Sequence, residues 1–363
     1  MLLVRLLLAI MVDILQHGNA NCVREEICMD KSMSQLVKGV AILTMLAHHF
    51  IVIPFSNLPY IVSLFGYACK ICVAIYAVIS GYGYFFTKEK TVKYGLKKIC
   101  DLLKIYWFSL FTLFIPIALL NGWELTFSNL LIQLFGLLPN LNWFAWYVFF
   151  YIFCMLIMPI IIKYRMLRFS SWKNLFLIII VPYMCALLLR LIPNYDSNVI
   201  LRDLFTCFYY LPCFLIGYWF AENKIYENLS VIKALKNPSI CIIMIFVIFA
   251  VRIVNNSIGG IVLDVFYAPL MICLINSLFK NSDCRIMKNS LYILGKYSTS
   301  IWFFHAVFFS TYVSDLFKPI LKLISWPPLM FLWLVVLSFI GAVIYQKLLE
   351  KIESLFKKSR KIV

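Results

Sequence analysis

His48 and His49 stand in the middle of an otherwise apolar stretch that starts near Lys38. An imidazole titrates near neutrality and can take up and return a proton, while lysine supplies a compact positive charge. The run over about 35–55 is long enough to cross a bilayer, which needs about 20 mostly apolar residues. Ionisable groups at that depth are costly and mark functional sites. Helical geometry separates the two histidines. Eleven residues at about 100° each return His49 to within roughly 20° of Lys38, about 16 Å along the same face. His48 points about 80° away. The spacing predicts that His49 lies near the bilayer midplane and faces whatever Lys38 faces. The plainer alternative is that both histidines only hydrogen-bond between helices.

Other polar residues sit where lipid should exclude them. The second apolar run ends in Ile79-Ser80-Gly81-Tyr82-Gly83-Tyr84. Gly81 and Gly83 permit close helix approach. The hydroxyls of Ser80 and Tyr82 need a further reason, and they lie close to Lys88. His305 closes the segment Tyr297-Ser298-Thr299-Ser300-Ile301-Trp302-Phe303-Phe304-His305. Counted from Lys296 it is about 13 Å in, a depth close to that of His49. Two histidines at matching depth can line one cavity; a single interhelical hydrogen bond from His305 is the alternative. Trp143, Trp146 and Tyr147 begin a fourth run, as an interfacial aromatic belt or as a stacking platform for sugars. Pro212 and Gly217 can kink or tighten the sixth.

The elements that must hold these residues follow from composition. Of 363 residues 63% are hydrophobic and 17% aromatic, and mean hydropathy is +0.92. Soluble domains are only about half apolar. The sequence predicts an all-α polytopic membrane protein. Its apolar runs give about ten candidate spans, over about 35–55, 61–86, 102–121, 144–162, 174–191, 204–220, 239–254, 260–279, 297–316 and 329–349. The connections are too short for a soluble domain, so one integral domain is expected over 29–363, with a basic tail from about 350. Residues 1–28 do not fit it. Arg5 and Asp13 interrupt their apolar run, and Gly18-Asn19-Ala20 only loosely resembles a signal-peptidase site. Met29 is the expected true start, and 1–28 a misassigned extension.

The net charge of +17 follows topology. Lys88, Lys90, Lys93, Lys97, Lys98 and Lys104 cluster after the second run, and Lys163, Arg165, Arg168 and Lys173 after the fourth. The tail carries Lys347, Lys351, Lys357, Lys358, Arg360 and Lys361. The alternate connections carry almost none. This is the positive-inside pattern, which predicts both termini in the cytoplasm. It makes anionic lipid the partner of the basic surplus; nucleic acid is not needed. Cys69 and Cys72 are spaced C-x-x-C but have no second pair or nearby histidine, so they read as small packing residues and no metal is expected.

In this order the elements resemble the bacterial membrane-bound acyltransferase 3 family, of the type that acylates polysaccharides, over most of 29–350. The family's signature of a basic residue, ten intervening residues and a histidine corresponds to Lys38 and His49 in VKGVAILTMLAHH. Its S-G-Y corresponds to Ser80-Gly81-Tyr82. Weaker likenesses are LLKIYW at 102–107, the Trp-Tyr start of the fourth run, FLIGYWF at 214–220 and YSTSIWFFH at 297–305. The family often has arginine where this chain has Lys38, and arginines before the third run where this chain has Lys97, Lys98 and Lys104. Lysine binds phosphate as a point charge, without arginine's bidentate fork.

The resemblance implies transfer of an acyl group, usually acetyl, from cytoplasmic acyl-CoA to a carbohydrate hydroxyl at or beyond the outer face of a bacterial cell membrane. It implies His49 as the essential histidine, a base or transient acyl carrier. Lys38 would attract the donor or orient the site. Lys97, Lys98 and Lys104 are candidate phosphate contacts, though ordinary positive-inside residues would look the same. Ser80 and Tyr82 could donate to the acyl carbonyl, and His305 is a secondary candidate. Acyl-CoA is a substrate here; no permanent cofactor is expected. The rival reading is a transporter or flippase for a lipid-linked saccharide, but the sequence shows no internal repeat or paired broken helices.

Overall fold

Asp30 starts the first helix: its carboxylate accepts the Met33 amide at 2.7 Å, satisfying one of the donors a helix N-terminus leaves unpaired. In the computed structural model the described residues are 29–53, 58–137, 141–164, 174–229, 232–257 and 263–359. The proposed extension 1–28 lies outside them, as do Arg165, Arg168, Lys173, Arg360 and Lys361. The main helices are α1 (Lys31–Val52), α2 (Tyr60–Phe85), α3 (Val92–Leu120), α4 (Phe127–Phe135), α5 (Trp143–Lys163), α6 (Leu175–Arg190) and α7 (Val199–Glu222). They continue as α8 (Pro238–Ser257), α9 (Asp264–Asn281), α10 (Arg285–Lys296), α11 (Ser298–Phe304), α12 (Ser314–Leu321) and α13 (Pro327–Ser359). No strand occurs among the described residues. A bilayer offers the backbone no hydrogen-bond partner, and helices satisfy their own.

Among the described residues seven helices are long and apolar enough to span a membrane: α1, α2, α3, α5, α7, α8 and α13. The protein is an all-α membrane protein, and the three other expected runs differ for physical reasons. α6 has 16 residues and is short for a span. α9 carries Asp264 and Lys280 near its ends and buries Asn276 and Ser277. The run over 297–316 is broken: α11 tightens into a 3₁₀ turn at His305–Phe308, and the chain restarts in α12.

Glycines decide two crossings around the site. α1 lies against α10 where a Cβ on Gly39 would strike the Leu291 carbonyl and one on Gly295 would strike the Gln35 carbonyl. α2 meets α7 in the same reciprocal way, Gly81 against the Phe214 carbonyl and Gly217 against the Val78 carbonyl. Small residues let helix backbones approach in membranes, where apolar surface alone gives little preference for protein over lipid. Gly83 corrects the sequence reading. Open space surrounds its missing Cβ, so it mediates no close approach. Pro212 sits within a continuous α7.

The segment before α5 is fixed by backbone capping. α4 ends at Gly136, left-handed at φ 67° and packed on the Ala145 carbonyl and Val148. The Tyr106 hydroxyl and Trp107 indole of α3 donate to the last carbonyls of α4, at Gln133 (2.5 Å) and Leu134 (2.8 Å). Beyond the turn the Gln133 side chain accepts the Leu141 amide at 3.2 Å, and the Ser310 hydroxyl donates to the Leu141 carbonyl. These bonds hold Trp143 and Phe144 beside α1.

Candidate active site

A cavity of about 420 Å³ runs between α1, α2, α3, α5 and α11. Lys38 and His49 both line it, as their shared helix face requires. Lys98 and Asp101 of α3 border it with Lys38, and Trp143, Phe144 and His48 border it with His49. Two contacts register α2 against α1. The Tyr76 hydroxyl donates to the Lys38 carbonyl at 3.3 Å, and His48 Nδ1 donates to the Gly66 carbonyl at 2.8 Å.

His49 and His305 meet directly, with Nδ1 of His49 2.9 Å from Nε2 of His305. The rings are nearly parallel, 9° apart, with centroids at 4.9 Å. Chemistry fixes the tautomers. His305 Nδ1 is 2.6 Å from the Trp302 carbonyl and 3.3 Å from that of Ile301. A carbonyl only accepts, so His305 Nδ1 carries hydrogen, and in the neutral ring Nε2 is then an acceptor. His49 Nδ1 must donate to it. That leaves His49 Nε2 as a lone pair with no protein partner among the described residues, on a side chain that lines the cavity. Phe144 packs edge-on to His49 at 4.3 Å, and Trp143 approaches at 6.3 Å.

The remaining sequence candidates separate. Ser80 lines the cavity; Tyr82 does not, and is buried against Phe86 and Tyr226 at ring distances of 5.2 and 5.5 Å. Of the three lysines, only Lys98 borders the cavity, 3.8 Å from Asp101. Lys97 is exposed and outside the lining. Lys104 is turned to α13, 3.6 Å from Glu353. Trp143, Trp146 and Tyr147 all line the cavity wall.

Comparison with known families matches residues 34–347 to acyltransferase 3, described as an acyltransferase domain. The chain belongs to the acyltransferase 3 family. No curated protein and no solved structure matches it. The matched stretch contains every residue that lines the cavity, so in this family member the cavity is part of the acyltransferase domain.

The structure adds residues to this candidate site that the sequence reading passed over. Lys70 opens onto the cavity from the middle of α2. Arg252 of α8 and Asp264 of α9 form a buried ion pair beside that part of α2, with Nε to Oδ1 at 2.7 Å and Nη2 to Oδ2 at 2.8 Å. All three were visible as charges within or bordering apolar runs, a signal that marks function or pairing. Tyr76 and Trp302 complete the walls. Trp302 also donates its indole to the Phe144 carbonyl at 3.1 Å, tying α11 to the start of α5.

Proposed function

We propose that the protein transfers an acyl group, acetyl in the simplest case, from cytoplasmic acyl-CoA to a carbohydrate hydroxyl at or beyond the outer face of a bacterial cell membrane. The observation that carries this reading is His49 Nε2, an unprotonated nitrogen on a cavity that also holds Lys38 about 16 Å away along α1. The positive-inside distribution supports the Lys38 end as cytoplasmic, with both termini on that side. Acyl-CoA then enters at Lys38 and Lys98, whose charges attract its phosphates.

Its thioester reaches towards His49, and the acceptor hydroxyl comes from the other end. His49 Nε2 takes the hydroxyl proton as the oxygen attacks the thioester carbon. The proton returns to the departing thiolate when the carbon–sulfur bond breaks. His305 accepts the Nδ1 hydrogen bond throughout and keeps the ring in the productive tautomer. Trp143 and Trp146 offer flat apolar faces for a sugar ring. Capsule, exopolysaccharide, lipid-linked saccharide and wall glycan all supply a hydroxyl of this kind.

Purified protein in lipid nanodiscs, given radiolabelled acetyl-CoA and extracts of surface glycan, should release free coenzyme A and label the glycan. A transporter or flippase would consume no acetyl-CoA, and that result would overturn the reading.

A further inference from the structure

Lys70 lies within an apolar span, where an ionisable side chain marks function or pairing. The bond from His48 to the Gly66 carbonyl sets Gly66 level with His48, and the bond from Tyr76 to the Lys38 carbonyl sets Tyr76 near Lys38. Lys70 falls between them, about 6 Å from the histidine level by helical rise. Its side chain opens onto the cavity and has no hydrogen bond or ion pair among the described residues. An ammonium at membrane depth is expensive unless it meets a charge, and among the described residues no carboxylate forms an ion pair with it.

The backbone at Lys70 is also built for presentation. α2 tightens there into a 3₁₀ turn over Cys69–Ile71, which disturbs the regular pairing of nearby carbonyls. Arg252 takes two of them: its Nη1 donates to the carbonyls of Tyr67 at 2.7 Å and Ala68 at 2.6 Å. The other side of its guanidinium is forked onto Asp264. The pair is only 3% and 2% exposed. Breaking a buried pair by removing one partner is strongly destabilising, so this clasp fixes the turn that carries Lys70.

We infer that Lys70 is the cation that meets the negative charge developing on the thioester carbonyl oxygen, with Arg252 and Asp264 as positioning residues. This rests on the acyl transfer proposed above. The acceptor oxygen bonds to the carbonyl carbon while its proton passes to His49 Nε2. The carbonyl π pair moves onto oxygen, and that oxyanion lies against the Lys70 ammonium. When the pair returns, the carbon–sulfur bond breaks and sulfur leaves as a thiolate that takes the proton from His49. Charge placed where an oxyanion forms favours the transition state over the ground state. Lys70 is set near the histidine end, apart from the Lys38 and Lys98 pair that suits the donor's phosphates.

The test uses the full chain in nanodiscs, with acetyl-CoA turnover and equilibrium binding of coenzyme A measured together. Lys70→Met should lower kcat by about 10²–10³-fold, as loss of an oxyanion donor does, with KM and coenzyme A affinity nearly unchanged. Lys70→Arg should recover part of kcat, which also covers the case where Lys70→Met fails to assemble. Arg252→Lys should lower kcat, and the double variant with Lys70→Met should be no slower than Lys70→Met alone, since both act through one group. A kcat for Lys70→Met close to wild type would overturn the inference. So would coenzyme A affinity falling in step with kcat, which would make Lys70 a donor-binding residue. Wild-type protein that turns over no acetyl-CoA would overturn the proposed function and this inference with it; wild-type turnover with an unaffected Lys70→Met would overturn only the inference.

Discussion

His49 and His305, 256 positions apart in the chain, share a hydrogen bond of 2.9 Å between nearly parallel rings. The bond has a direction. The Trp302 carbonyl makes His305 Nδ1 the donor, His305 Nε2 is left as acceptor, and His49 is held with Nε2 bare. The same logic, a third group orienting the base, operates in hydrolytic triads with a carboxylate in place of His305.

His49→Ala should abolish acyl transfer, with a loss of about 10²–10⁴ in rate, as removal of a general base does. His48→Ala should keep much of it. Although His48 also borders the cavity, its Nδ1 is committed to the Gly66 carbonyl, and losing such a bond costs about 1 kcal/mol of stability. Rates are compared at matched protein levels. Equal losses in the two variants would refute the assignment.

His305→Ala should reduce kcat while leaving KM for acyl-CoA nearly unchanged, because His305 orients the base and lies behind it. His305→Gln should recover part of the activity, since a side-chain carbonyl can accept the His49 Nδ1 hydrogen. A merely structural role predicts lost protein instead of a kcat effect with rescue. Steady-state kinetics on folded protein distinguishes the two.

The lysines should divide by geometry. Lys38→Ala and Lys98→Ala should raise KM for acyl-CoA, and Lys38→Arg should restore activity because arginine keeps the charge. Lys104→Ala should be close to neutral in kinetics and in stability. Its pairing with Glu353 is on a partly exposed surface, where such pairs contribute about 0–1 kcal/mol. A KM effect at Lys104 as large as that at Lys98 would contradict the cavity's course.

Glycine substitutions test the crossings. Gly295→Leu and Gly81→Leu should lower thermal stability sharply or prevent assembly, because each side chain would meet a facing backbone carbonyl. Gly83→Ala should be tolerated and raise stability by about 0.5–1 kcal/mol, since alanine restricts the unfolded chain and meets open space. Melting temperature and size-exclusion profile in detergent read both outcomes.

The sequence by itself determined the relations that lie along one helix. The angle between Lys38 and His49 follows from a fixed rotation per residue, so their common face was legible before any packing was known. The membrane class was legible for a similar reason: a bilayer imposes length and apolarity on each span separately. The family likeness rode on the same local patterns. Relations between helices needed the tertiary structure, because rotation and depth are set by crossings such as Gly39 with Gly295 and by bonds between distant segments. Only there does His305 become the partner of His49, Lys98 separate from Lys104, and Tyr82 turn away from Ser80. Lys70 was readable as a charge inside an apolar run. Its lack of an ion-pair partner among the described residues, and the clasp of Arg252 and Asp264 beside its turn, depend on α2, α8 and α9 meeting in space.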